Sequence, residues 1–234
     1  MEIIASDRKP GPDSPWPMYQ ALVGVGIVCA LLIVSAFLLT LPAIQQNRAE
    51  ALERAIFNAL PEARIKRAFA LMENDHFVTP VPDDYRGEVI YAGFDANHRL
   101  VGLAMEAQGM GYQDRIRMLY GYAPDRQAIV GMQVLDSRET PGLGDKIEKD
   151  SAFRRNFMQL DVSLNAAGSQ VKNPIVAVKS GSKTEPWQVE GITGATVSSK
   201  AVARILAADT GRWVPLVQRQ LREFDLEGAA HASP

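Results

Sequence analysis

The strongest hydrophobic pattern in the chain is one unbroken apolar run near the N-terminus. Residues 21–44 read ALVGVGIVCALLIVSAFLLTLPAI, and no charged side chain occurs between Asp13 and Arg48. About 20 apolar residues are enough to cross the hydrocarbon core of a bilayer. The run is longer than the apolar core of a cleaved signal peptide, and a helix apolar on every side would need a larger protein to bury it. We therefore predict an uncleaved transmembrane helix over 18–44, preceded by an N-terminal tail over 1–17.

The pattern changes to an amphipathic one after this run. The sequence RAEALERAIFNALPEARIKRAFALM has a composition that favours helix. Leu52, Ile56, Ala59 and Leu60 fall on one face of such a helix, and Pro61 interrupts it. We predict a juxtamembrane helical linker over 45–80, ending in a loop rich in proline.

The rest of the chain mixes short strand patterns with helical ones. Apolar and polar residues alternate in four segments separated by turn residues, which predicts strands over 88–94, 100–107, 115–122 and 128–135. Further on we predict a helix over 145–158, a strand over 174–179, and helices over 198–208 and 213–224 separated by Gly211. The expected architecture is α+β: a single N-terminal transmembrane helix followed by one soluble domain over 81–226, with a frayed tail over 227–234.

Composition and charge exclude several classes of protein. The 25 Lys and Arg residues nearly balance the 27 Asp and Glu residues, so the chain lacks the basic excess of a nucleic-acid-binding domain. The single cysteine, Cys29, excludes an internal disulfide or a cysteine-ligated metal site built from this chain alone. The three histidines are far apart in sequence. We therefore expect no metal.

Common nucleotide-binding motifs are incomplete. Gly142-Leu143-Gly144 would need a glycine at position 147 to form a dinucleotide-binding loop, but Ile147 stands there. Gly181-Ser182-Lys183-Thr184 lacks the first glycine of a phosphate-binding P-loop, because position 176 is Val176. Neither segment therefore predicts a nucleotide site of these two kinds.

Two glycine-containing segments carry the candidate chemistry. ITGATVSSK, over 192–200, is a turn of small residues that leads into a helix start, where unpaired N–H groups and the helix dipole favour a phosphate. By itself this segment also fits an ordinary helix cap. ETPGLGDKI, over 139–147, is a rigid turn with two glycines that follows a predicted strand.

Taken together, the two segments resemble the FMN-binding domain of the G subunit of the Rnf electron-transport complex. They also resemble the related C subunit of the sodium-pumping NADH:quinone oxidoreductase. The resemblance extends to the N-terminal anchor and the Gly109–Tyr112 segment, and so covers nearly the whole chain. The DKI that follows PGLG is more similar to the Rnf protein.

The resemblance implies a covalent flavin. FMN would be joined through its phosphate to Thr196, the threonine that ends the S/T-G-A-T motif formed here by Thr193, Gly194, Ala195 and Thr196. An FMN transferase would attach it during maturation. Glu190 stands where the family pattern usually has an aspartate, so the carboxylate is kept on a longer arm.

The resemblance also implies neighbours for the flavin. The ring would pack against the ETPGLG turn, with Glu139, Thr140, Leu143 and Gly144 beside it, and Lys146 would favour the reduced, anionic ring. Lys146 could equally be a solvated surface lysine. Ser198 and Ser199 either bind the phosphate or only cap the helix. Tyr112 and Trp187 are further candidates, whereas Tyr120 and Tyr122 are explained as packing residues on one face of a strand.

The function implied is that of an electron-carrying subunit of a membrane-bound complex, not catalytic alone, with the other Rnf subunits as partners. Such a complex couples electron flow between reduced ferredoxin and NAD to ion movement. The soluble domain would lie outside the cytoplasmic membrane, a side that the balanced flanking charges do not decide. The alternatives are a C-type subunit of the sodium pump, a flavin-free assembly subunit, and a flavin-binding sensor domain.

Overall fold

The structure, a computed structural model, describes residues 15–82 and 84–224. Helix α1 spans Trp16–Ala59. Among the described residues, α1 is the one helix that is long and apolar enough to cross a membrane. None of the residues in its most apolar stretch is buried. A core helix would hide those side chains, so the prediction of an exposed apolar N-terminal helix is confirmed. The predicted tail over 227–234, and the first 14 residues of the tail over 1–17, lie outside the described residues.

The segment after α1 differs from the helical linker predicted over 45–80. The helix ends at Ala59, shortly before a proline, and strand β1 forms over Ile65–Leu71. β1 pairs antiparallel with strand β3, which spans Val89–Phe94, and Phe69 within β1 is buried. Sheet pairing and burial outweigh the weak helix preference of this sequence. The helical prediction for this part of the linker was therefore wrong.

A seven-stranded antiparallel sheet forms the centre of the soluble part. Its other strands are β2 (Phe77–Val78), β4 (Leu100–Met110), β5 (Arg115–Ala123), β6 (Ala128–Asp136) and β7 (Leu160–Asp161). The order across the sheet is β2-β1-β3-β4-β5-β6-β7. The four strands predicted from alternation are confirmed to within a few residues. β4 runs on through Gly109 and Met110, beyond the predicted end at residue 107, and the chain reverses over 111–114.

The helix predicted over 145–158 is divided in two. Helix α2 spans Lys146–Lys149 and helix α3 spans Ser151–Arg155. Asp150 separates them because its backbone is extended and its carboxylate accepts hydrogen bonds from two amides of the first turn of α3, at 2.7 and 3.0 Å. An aspartate in this position starts a new helix.

A small parallel pair of strands leads into the last helix. The strand predicted over 174–179 is shortened to β8 (Val176–Val178), and it pairs with β9 (Gln188–Glu190), which the pattern did not predict. β9 is too short to show alternation. It nevertheless matters, because the chain passes from it directly into the turn before the last helix.

The two helices predicted near the C-terminus form a single helix. Helix α4 spans Thr196–Arg219 without a break at Gly211, and a 3₁₀ turn follows over Leu221–Phe224. A glycine inside a helix costs only about 1 kcal/mol. Thr210 and Trp213, which flank it, are both buried and keep this part of the helix packed on the sheet.

The sheet is covered on both faces. Met105 and Tyr120 belong to the larger core on the α4 side, whereas Ala104 and Leu119 point to the opposite face and pack with the end of α1. This alternation follows from the two-residue period of a strand. Tyr120 and Tyr122 are fully buried in the larger core, as predicted for packing residues. The prediction of an α+β fold is confirmed.

Candidate functional site

Each of the two sequence motifs folds into a tight turn with a glycine at positive φ. In the first turn, over 140–143, Gly142 has φ 77° and the N–H of residue 143 donates to the carbonyl of residue 140 at 3.1 Å. In the second turn, over 192–195, Gly194 has φ 86°, and the N–H of residue 195 donates to the carbonyl of residue 192 at 3.0 Å. A turn of this kind favours glycine at its third position. Both turns are therefore encoded locally.

Glu139 ties three segments of the site together. One carboxylate oxygen accepts hydrogen bonds from the backbone amides of Tyr112 and Gln113 at 2.9 and 3.0 Å. The other oxygen accepts a hydrogen bond from the hydroxyl of Ser198. The same side chain thus holds the β4–β5 turn, the 140–143 turn and the start of α4 in one arrangement.

The Glu139 carboxylate remains ionised in this setting. Burial favours a higher pKa, but hydrogen bonds from Ser198 and from the backbone amides of 112–114 outweigh it, and the pKa of Glu139 is lowered. The side chain is only 5% exposed. Among the described residues, no lysine, arginine or histidine forms an ion pair with it.

A groove of about 350 Å³ lies where the two turns and the start of α4 meet. This volume is within the range of small-molecule sites. The groove is lined by Tyr112, Thr140, Leu143, Gly144, Gly194, Ala195, Thr196, Val197 and Ser198. The structure therefore brings residues of both motifs to one site, although their sequences are more than 40 residues apart.

Thr196 is the first residue of α4 and is exposed. Its hydroxyl makes no hydrogen bond within the described part of the chain. Ala195, which precedes it, supplies no side-chain cap, so the first amides of this 24-residue helix depend on other partners. An exposed hydroxyl therefore stands beside unpaired N–H groups at the positive end of a helix dipole.

Four of the predicted site residues do not line the groove. Glu139 lies behind its wall, held by the hydrogen bonds to Ser198 and the β4–β5 turn. Lys146 and Thr193 line a neighbouring cavity of about 380 Å³. The Lys146 ammonium nevertheless stays close to the second turn, 3.7 Å from the point that a β-carbon on Gly194 would occupy.

Ser199 is the fourth predicted residue outside the groove, and its hydroxyl is committed to the second turn. It accepts a hydrogen bond from the Ile192 amide at 3.1 Å and donates one to the Ala195 carbonyl at 2.9 Å. The side chain is fully buried. Of the two roles considered for this serine, its geometry matches the structural one.

Glu190 is fixed in the strand before the second turn. Its backbone N–H donates to the side-chain oxygen of Asn156 at 2.9 Å, and its carbonyl accepts from the same amide group at 3.0 Å. Its carboxylate accepts a hydrogen bond from the Gly181 amide. The longer arm of glutamate therefore reaches a neighbouring loop.

Sequence reasoning missed Val197 as a wall of the groove. Val197 is 54% exposed, although the two residues that follow it in α4 are buried. An apolar side chain on the outer face of an amphipathic helix is the signal that could have identified it. Trp187, considered as a flavin neighbour, is half-buried and does not contribute to the groove.

The groove fits a flat apolar ring that carries a phosphate. Leu143, Val197 and Tyr112 present apolar surface to it, and all three are more than half exposed. A β-carbon at Gly144 would come within 2.8 Å of the Ser198 hydroxyl, so only glycine lets this part of the wall pack closely against Ser198. The start of α4 supplies donors for a phosphate. The residues present therefore suit FMN.

Comparison with known proteins identifies the family of the domain that contains this groove. The FMN-binding domain family matches residues 111–208, a span that contains both turns. The chain is 31% identical to the G subunit of the ion-translocating oxidoreductase complex of Methanosarcina acetivorans over 185 residues, which is 79% of this chain and 87% of the relative. It is also 31% identical to the protein of the same name in Pasteurella multocida, over 76% of this chain and 83% of the relative.

Solved structures share the fold. The C subunit of the Na⁺-translocating NADH-quinone reductase of Parabacteroides distasonis superposes with a TM-score of 0.59 at 19% identity, over 75% of this chain and 96% of that one. NqrC of Shewanella oneidensis gives a TM-score of 0.55 at 18% identity, over 80% and 99%. The fold agrees with the sequence relatives, and those relatives establish that the chain belongs to the family of G subunits of ion-translocating oxidoreductase complexes.

Proposed function

We propose that this chain is the electron-carrying G subunit of a membrane-bound ion-translocating oxidoreductase complex, and that it carries FMN in the groove through a phosphoester to Thr196. The observation that carries the proposal is the exposed Thr196 hydroxyl, which is free of hydrogen bonds among the described residues and lines an apolar groove at the start of α4. The relatives bear the name of such a complex.

The residues of the groove have distinct tasks in this proposal. Leu143 and Val197 provide apolar contact to the ring, and Thr140 holds the β4–β5 turn through a hydrogen bond from its hydroxyl to Gln113 at 3.1 Å. The first amides of α4 bind the phosphate. When bound, the flavin supplies one- and two-electron chemistry, while the protein sets its position and potential.

A covalent bond suits a groove as open as this one. An open groove offers few contacts to retain a cofactor, whereas a phosphoester retains it independently of those contacts. The exposed turn before α4 also gives an FMN transferase access to Thr196 during maturation. The carrier's partners are the other subunits of the complex, which exchange electrons with the flavin at the open side of the groove.

The membrane helix anchors the carrier beside these partners. In this proposal α1 crosses the cytoplasmic membrane once, over 18–44, and the soluble domain lies on its outer side. The complex couples electron flow between ferredoxin and NAD to ion movement, as the name of a related protein of Acetobacterium woodii states for that protein, which is 31% identical over 114 residues.

The decisive experiment is to follow the flavin through denaturation. Thr196→Val should abolish flavin fluorescence of the denatured band in a gel, and the intact mass should fall by one FMN less one water. Thr140→Val is the matched control, because it removes a threonine hydroxyl from the same groove without touching the attachment site. It should keep the fluorescence.

Two outcomes would contradict parts of this proposal. Fluorescence that persists in denatured Thr196→Val would place the bond elsewhere. Flavin that is present in the native wild-type protein but lost on denaturation would show non-covalent binding. In either case the electron-carrier function is tested separately, by ferredoxin:NAD turnover of the complex that contains the variant.

A further inference from the structure

We propose that the Glu139 carboxylate is a fixed negative charge behind the wall of the groove that lowers the reduction potential of the flavin bound there. This inference rests on the proposed function. It assigns to Glu139 a role different from direct contact with the ring, because the side chain does not line the groove.

The carboxylate is placed immediately behind the wall. A β-carbon on Gly144, which lines the groove, would lie 2.7 Å from the second carboxylate oxygen of Glu139. The same oxygen accepts the hydrogen bond from Ser198, another residue of the wall. Only a glycine backbone and one hydroxyl therefore separate the charge from the groove.

Its charge is weakly compensated. Its partners are neutral donors, namely the backbone amides of 112–114 and the hydroxyl of Ser198, and it forms no ion pair with the described residues. The side chain is 5% exposed, so little solvent screens it. Charges interact more strongly at a short distance in a medium of low polarity than they do in water.

The expected direction follows from charge balance. A flavin that takes up two electrons and one proton gains one net negative charge, and a fixed negative charge nearby opposes that gain. Removing the charge of Glu139 should therefore make reduction easier and shift the midpoint potential in the positive direction.

The test is a redox titration of the purified full-length protein with its flavin attached. Glu139→Gln is nearly isosteric, keeps an acceptor oxygen for the amides of 112–113, and removes the charge. We expect a positive shift of the midpoint potential. Asp114→Asn is the matched control, since it removes a carboxylate from the same β4–β5 turn at a half-exposed position, where the charge already pairs with Arg138. Because solvent screens the charge at position 114, the midpoint potential of the flavin in this variant should stay close to the wild-type value.

A second variant distinguishes an effect of the Glu139 charge from an effect of the hydrogen bonds by which Glu139 holds the groove together. Ser198→Ala removes one of the hydrogen bonds that Glu139 uses to hold the groove, but keeps the charge. If the charge sets the potential, this variant has an unchanged or more negative potential. If Glu139 only holds the segments together, loosening them through Ser198→Ala should shift the potential in the same positive direction as Glu139→Gln.

The outcomes distinguish this inference from the proposed function. An unchanged potential in Glu139→Gln, or a positive shift in Ser198→Ala, overturns the role of the charge while the flavin remains in place. Absence of a bleachable flavin from the wild-type protein overturns the proposed function itself. Thermal melting of both variants in the flavin-free Thr196→Val background checks that they fold, and if Glu139→Gln fails to fold, the direction measured for Ser198→Ala decides.

Discussion

The backbone carbonyl of Ala59 lies directly over Gly121, so close that a β-carbon at this position would overlap it. The same carbonyl would be 2.5 Å from a β-carbon on Gly131, which pairs with Gly121 in the neighbouring strand. On the next two strands Gly93 and Gly102 make similar room for Leu60. Four glycines on adjacent strands therefore form a shallow seat for the end of α1.

The close packing of α1 in this seat predicts that even a small substitution in it lowers the free energy of unfolding. Gly121→Ala should lower the free energy of unfolding by about 1–3 kcal/mol, because the added methyl group forces α1 away from the sheet. Gly211→Ala is the matched control, since nothing lies within 4 Å of its added β-carbon and the position is inside a helix. It should raise the free energy by about 0.5–1 kcal/mol. Urea unfolding of the two variants measures both changes, and equal effects would contradict the role of the seat.

The same packing predicts where a soluble fragment can begin. Residues 50–60 form part of the compact unit that starts at Glu50, and Ile56 and Leu60 are buried against the sheet. A fragment that begins at Glu50 should be monomeric and unfold cooperatively. A fragment that begins at Pro61 exposes this apolar face and should aggregate or bind a hydrophobic dye. Comparable unfolding midpoints for the two fragments would show that the end of α1 is only a linker.

The turns of the site could be predicted from sequence, but the placement of Glu139 could not. Gly142 and Gly194 mark their turns through local conformational preference, which a sequence records directly. The hydrogen bond from the Ser198 hydroxyl to the Glu139 carboxylate joins residues 59 positions apart and depends on the tertiary fold. The resemblance therefore names Glu139 as a neighbour of the flavin ring, but it does not show that the carboxylate is held behind the groove wall.

The errors in secondary structure have a similar origin. The composition of Ile65–Leu71 favours a helix, yet its neighbour β3 is correctly identified from alternation. A strand at that place becomes favourable only once β3 is there to pair with it. At Gly211 the local sequence favours a break in the helix, but α4 remains continuous because it packs on the sheet.

The half-buried Asp209, which accepts a hydrogen bond from the buried Tyr120, predicts how stability depends on pH. Burial raises the pKa of Asp209 from 3.8 to about 6, although the hydroxyl of Tyr120, which donates to it at 2.8 Å, and the charge of Arg212 act in the opposite direction. The charge of Glu88 adds to the rise. Because the folded protein holds this proton more tightly than the unfolded chain does, the contribution of Asp209 to stability is greatest below about pH 4. It falls as the pH rises to about 6, and then levels off.

Asp209→Asn tests this dependence. The amide can still accept the hydrogen bond from Tyr120 but carries no charge. The variant should therefore gain stability relative to the wild-type protein as the pH rises from about 4 to about 6, with a constant difference above that. Urea unfolding at several pH values provides the comparison. If the difference in stability between the two proteins does not change with pH, folding does not raise the pKa of Asp209, and the prediction is wrong.

The proposed topology has a direct test. If the soluble domain lies outside the cytoplasmic membrane, protease added to intact spheroplasts should digest the part that follows α1. A cytoplasmic marker protein should remain intact in the same sample. The charges that flank the helix do not decide the orientation, because Arg8 and Lys9 on one side are balanced by Arg48 and Arg54 on the other. Digestion only after lysis would reverse the topology.

The groove wall offers a test of where the flavin ring lies. Leu143 is 51% exposed and lines the groove, whereas Thr196 carries the proposed bond. Leu143→Asp should leave FMN attached, because the attachment motif is unchanged. It should shift the flavin potential in the negative direction, since a carboxylate beside the ring opposes the negative charge gained on reduction.

Leu143→Asn separates this effect of charge from the loss of apolar cover. It gives a side chain of nearly the same size and polarity as aspartate without the charge, so its potential should lie between those of the wild-type protein and Leu143→Asp. Redox titration of the three proteins, with denaturing-gel fluorescence as a check on attachment, measures the series. Equal potentials in all three would mean that the ring does not contact the 140–143 turn, and the groove would then have to serve another ligand or a partner surface.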